Sequence, residues 1–106
     1  MLNNEEYNKL ENLIKKYLIN VFNLNDDFND FANGYHWKHI NIPNSVDMKL
    51  IPEKSYLHNH GDFIVYTFEI VIDNKLYYFT CYGKYGFKNT QWIKFSVYDN
   101  YDSINI

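Results

Sequence analysis

The chain has 106 residues, ten lysines and no arginine, and its formal net charge is −3. That length predicts one domain, residues 1–106, able to bury a core without a disulfide or a structural metal. The negative charge, together with the lack of the guanidinium fork that reads phosphates and base edges, argues against direct nucleic-acid binding.

The first predicted element is a helix over residues 4 to 24. Leu10, Leu13, Ile14, Tyr17, Leu18, Val21 and Phe22 recur at intervals of three and four, so they share one face. Asn3 or Asn4 can cap it, Glu5 and Glu6 suit its positive end, and Glu5 with Lys9 and Glu11 with Lys15 are favourable pairs four apart. The two early glutamates also stand where a secretion signal needs positive charge. A short second helix is expected in NDDFNDFANG, started by Asn25 or Asp26, edged by Phe28, Phe31 and Ala32, and ended by Gly34.

From Val46 the period becomes two. Val46, Met48 and Leu50 alternate with polar residues until Pro52 stops the strand. A long strand is expected from about Asp62 to Ile72, a hairpin turn at residues 73 to 75, a return through KLYYFTCYG, a looser loop in KYGFKNT, and a last strand from Gln91 to Tyr98. The long strand is the most apolar stretch, but Thr67 and Glu69 interrupt it and it is too short to cross a bilayer. A cytoplasmic protein without membrane contact is expected, and the lone Cys81, which has no partner for an internal bridge, fits a reducing compartment.

Parity separates two sheet faces. Ile64, Tyr66, Phe68, Ile70, Ile72, Tyr77, Phe79, Cys81, Ile93, Phe95 and Val97 make the apolar one, which the first helix should cover. The other is mixed polar and aromatic, and its Tyr78, Tyr82, Trp92 and Tyr98 are the candidate partner-binding residues. Tyrosine and tryptophan offer large contact areas with a polar tip and are enriched at interface hot spots. The competing expectation is that the chain's own segments cover this face.

The histidines invite a metal reading. HNHGD, residues 58 to 62, resembles the opening of the H-x-H-x-D-H signature of the metallo-β-lactamase fold, but Phe63 stands where that signature needs histidine, and the fold needs about twice this length. Asn59, Gly61 and Asp62 are turn chemistry ahead of a strand, so His58 and His60 are expected to be solvated and to hold no metal. A bespoke site joining them to His36 and His39 is the alternative. KYGF, residues 84 to 87, resembles a fragment of the RNA-recognition motif, whose element order this chain does not share. Asp26, Asp27 and Asp30 suit a helix start, and Cys81 on the apolar face reads as a small hydrophobe. No catalytic residue, cofactor or metal is assigned.

A helix followed by an antiparallel meander is similar in architecture to the cystatin-like and NTF2-like α+β folds. This is the expected fold class: two helices packed on a sheet of about four strands. Sixteen asparagines against one alanine and no arginine follow A+T-rich codon usage, which points to a low-G+C bacterium, its phages or mobile elements. The chain therefore looks similar, as a class, to anti-CRISPR proteins and toxin-immunity proteins. The expected function is non-enzymatic: it inhibits by occluding another protein, one with a basic surface that acidic side chains help it meet. The alternatives are a binder of a small molecule or nucleotide signal, and a metal-dependent enzyme using His58 and His60.

Overall fold

In a computed structural model the backbone is described for residues 2–22, 42–57, 63–84 and 91–104, and the side chains for the same residues except 57, 63, 84 and 91–93. The second helix expected at residues 25–34, all four histidines, Asp62 and loop residues 85–90 lie outside that description.

Helix α1 spans Asn4–Val21. Asn3 caps it: its side-chain oxygen accepts from the Glu6 amide at 2.8 Å, and the Glu6 carboxylate accepts from the Asn3 amide at 3.3 Å. This reciprocal box satisfies two amides that the first turn leaves without helical partners. Both expected ion pairs form, Lys9 with Glu5 at 3.4 Å and Lys15 with Glu11 at 2.7 Å. The helix ends at Val21 rather than residue 24, with Phe22 as C-cap. Its last turn holds residues of low helix propensity and no cation.

Leu10, Ile14 and Leu18 are buried, and Tyr17, Val21 and Phe22 pack against the same core. Leu13 departs from expectation, being 40% exposed. It lies about 100° around the helix from Ile14, on the rim of the stripe. The stripe instead runs toward the N-terminus through Tyr7, whose hydroxyl accepts the Val97 amide at 3.2 Å.

The helix packs on an open antiparallel sheet of order β1-β3-β4-β5. Its strands are β1 (Met48–Leu50), β2 (Tyr56–Leu57), β3 (Phe63–Ile72), β4 (Lys75–Lys84) and β5 (Gln91–Tyr98). The molecule is thus a small α+β domain with four strand positions, the first of them split. β1 pairs with β3 at Phe68 to Ile70, the chain leaves the edge in a 3-10 turn over Pro52–Lys54, and β2 rejoins the same edge at Ile64 and Val65. Pro52 has no amide to give the ladder. Ser55 bridges the gap: its hydroxyl donates to the Ile51 carbonyl at 2.8 Å and accepts from the Thr67 amide at 3.0 Å.

The β3–β4 turn is the two-residue connection Asp73-Asn74, closed by the pair Ile72 and Lys75. Its residues have φ of 52° and 65°, the left-handed geometry of a type I′ hairpin, which Asn and Asp tolerate better than other non-glycine residues. The turn keeps the two rows in phase. Phe68 stacks on Phe79 at 5.2 Å, and Phe79 meets Phe95 at 5.5 Å. Around them Met48, Ile70, Ile72, Cys81 and Val97 are buried with the helix residues.

One irregularity changes the expected faces. Tyr82 pairs with Lys94 but Gly83 pairs with Trp92, so Ile93 is an extra residue in β5. The alternation that holds from Lys94 to Tyr98 therefore does not continue back to Trp92.

Candidate functional site

The sheet face opposite the helix is not one surface. Two 3-10 turns, Pro52–Lys54 and Tyr101–Ser103, meet over one half of it. Ile51, Tyr78 and Ile104 are buried there, with Tyr98 and Tyr101 packed around them. The Tyr101 ring meets Tyr78 edge-on at 5.9 Å, its hydroxyl donates to the Glu53 carboxylate at 3.2 Å, and the Lys54 ammonium lies 5.3 Å from its centre. Partial burial and the neighbouring Glu53 carboxylate raise the Tyr101 phenol above its ordinary range, so it stays a donor at neutral pH.

Beneath this cover Thr67 is fully buried and Thr80 nearly so. The Thr67 hydroxyl donates to the Lys54 carbonyl at 2.6 Å and lies 3.1 Å from the Thr80 hydroxyl. Thr67 has one proton, which the carbonyl takes, so Thr80 is the donor between the two. Thr80 thus directs its proton inward, which leaves its oxygen to act as an acceptor, with the Tyr98 hydroxyl among its neighbours.

That other half is a hollow of about 300 Å³ lined by Tyr56, Val65, Thr80, Tyr82, Lys94, Ser96 and Tyr98. Val65, Thr80 and Ser96 are buried, while Tyr56 and Lys94 are exposed and Tyr82 and Tyr98 intermediate. Burial raises the Tyr98 phenol from its ordinary range, against the Ser96 and Thr80 hydroxyls, which pull the other way. It is a neutral hydroxyl at physiological pH. Among the described residues Lys94 is the one charged member of the lining, and no carboxylate among them is ion-paired with it.

The four candidate binding residues are therefore separated. Tyr82 and Tyr98 line the hollow. Tyr78, 9% exposed, is covered by the chain's own turns and offers no free ring. Trp92 is placed by backbone register alone, opposite Gly83 beyond the bulge. Tyr56 was missed: β2 is two residues long, too short to show a period. Lys94, Ser96 and Val65 fall by parity on the same mixed face as Tyr82 and Tyr98, but single-strand alternation does not reveal which residues of a face share a depression.

On the helix-covered face Cys81 is buried, and burial pushes its thiol well above the ordinary range. At pH 8 the native thiol is expected to resist an aromatic disulfide reagent that reacts within seconds once denaturant is added, since the thiolate is the nucleophile; equal rates would place Cys81 at the surface. The same shift makes the native state hold its proton longer than the unfolded chain, so Cys81's contribution to stability falls as pH rises past about 8.5.

Among the described residues no group of three histidine, cysteine, aspartate or glutamate side chains is placed to hold a metal, and no helix is long and apolar enough to cross a membrane. No protein-family model, curated protein or solved structure matches this chain.

Proposed function

We propose that the protein is a non-enzymatic binding protein that occludes a functional surface of another protein, with Tyr56, Tyr82 and Tyr98 as the contact centre. The observation that carries this reading is the division of the outer face. One half is sealed by the chain's own turns, whereas the other presents three tyrosines around a depression deep enough to take a partner side chain. Rigid aromatic walls lose little entropy on binding, and well-packed pockets of this kind are where interface energy concentrates.

The A+T-favoured composition and the net charge of −3 support placing it with phage- or mobile-element-encoded counter-defence proteins of the anti-CRISPR kind, or with toxin-immunity proteins. Acidic side chains would then speed encounter with a basic partner in the cytoplasm. The order of one helix followed by antiparallel strands is in keeping with the cystatin-like and NTF2-like architecture, which we propose as the wider fold group; that group spans many functions and does not choose among them.

The test is co-purification from A+T-rich bacterial hosts with the wild-type chain and with Tyr82→Ala. A single host protein retained at one-to-one stoichiometry by the wild type should bind Tyr82→Ala about 30-fold more weakly, the loss of a hot spot worth about 2 kcal/mol. Equal retention by the two chains would refute the hollow as the contact centre.

A further inference from the structure

We infer that the hollow also accepts a small free ligand, a single planar ring carrying an anionic group. This shares the hollow with the protein-binding reading but does not depend on it. The size argues for one ring: at about 300 Å³ the depression is at the lower end of ligand sites, roughly 300–1,000 Å³. The walls argue for a planar one. Tyr56, Tyr82 and Tyr98 present rings against which another ring can stack or meet edge-on, and Val65 gives the floor an apolar patch.

The charge argues for an anion. Tyrosine rings alone would also attract a cation, but among the described residues Lys94 is the single charged member of the lining and is positive. Its ammonium offers three donors to a carboxylate or phosphate. The Thr80 oxygen, its proton committed to Thr67 and one lone pair facing the Tyr98 hydroxyl, has a second lone pair that can accept from an N–H or O–H on the ring. The ligand class is therefore a ring with a polar hydrogen on one side and an anionic group on another. An aromatic hydroxy acid and a pyrimidine nucleotide both present that chemistry.

The experiment is a titration of the full chain with para-hydroxybenzoate, uridine monophosphate and neutral uridine, followed by amide resonances. At least one of the two anions should bind with a dissociation constant of about 1 mM or tighter, shifting Val65, Thr80, Tyr82 and Ser96. Binding of one anion alone identifies the source, and binding of both supports the shared class. Uridine should bind at least about threefold more weakly than its monophosphate, and Lys94→Glu should weaken each bound anion about tenfold, more than a screened surface pair alone gives. Lys94 is exposed, so the variant is expected to fold, and unmoved core resonances will verify it.

No shift with either anion up to about 10 mM, uridine binding as tightly as its monophosphate, or anion binding unchanged in Lys94→Glu would each overturn the inference. The two readings fail separately: Tyr82→Ala tested on a host protein says nothing of free anions, and an anion can bind a chain that captures no protein.

Discussion

Phe68→Ala is expected to lower the unfolding free energy by about 3–5 kcal/mol, a large part of the 5–15 kcal/mol that holds a domain of this size together. Phe68 is 1% exposed and stacks on Phe79, which in turn meets Phe95, so truncation removes one end of the aromatic row in the core that the helix and sheet share. The surrounding strands are hydrogen-bonded on both sides of β3 and cannot collapse into the void, which puts the cost toward the upper end. Asn12, exposed on the opposite side of α1, is the control, and Asn12→Ala should stay within about 0.5 kcal/mol. Urea titrations of both variants decide the matter, and similar midpoints would show that the helix covers a different part of the sheet.

The second large effect separates two tyrosines of one strand. Tyr78→Ala should destabilise by about 3 kcal/mol, because its ring is buried between Ile51 and Ile104 and braced by Tyr101. Tyr82→Ala should change stability by less than about 1 kcal/mol, since Tyr82 borders the hollow and is only partly buried. Thermal melts of the two proteins are sufficient. A stable Tyr78→Ala would mean that the 3-10 turns do not seal that half of the face; an unfolded Tyr82→Ala would remove the hollow from consideration as a binding surface.

Those two residues also show where sequence reasoning succeeds and where it stops. Periodicity found the helix, every strand but the two-residue β2, and most of the helix-covered face, because burying an apolar stripe or row dictates side-chain spacing in the chain itself. Asn3 and Asp73-Asn74 were readable because caps and tight turns select particular side chains. Parity placed Tyr78 and Tyr82 on the same face, correctly, yet it has no means of reporting what lies above them. The cover comes from Ile51, Tyr101 and Ile104, in non-periodic segments whose packing depends on contacts distant in sequence. Leu13 was counted in the apolar stripe because a list of hydrophobic positions does not say how wide a stripe the sheet will accept. The bulge at residues 92 to 94 is a single uncoupled residue, invisible until its partner strand is known. The hollow itself is a property of four strands, β2 to β5, and could not be read from any one of them.

The hydrogen bond between the Tyr7 hydroxyl and the Val97 amide joins positions 90 residues apart, and its consequence is kinetic. The two elements it joins, the first helix and the last strand, contribute Leu10, Ile14 and Val97 to one core. Closing that core means closing nearly the whole chain into a loop, whose entropy must be met before the contact rewards it. Local hairpins such as the one at Asp73-Asn74 can form in microseconds, but the apolar stripe of the helix finds its final seat only when β5 has joined the sheet. The protein is therefore expected to fold as a late-closing unit, on the slower side for its length, with the helix stripe as the surface a chaperone would meet while it waits.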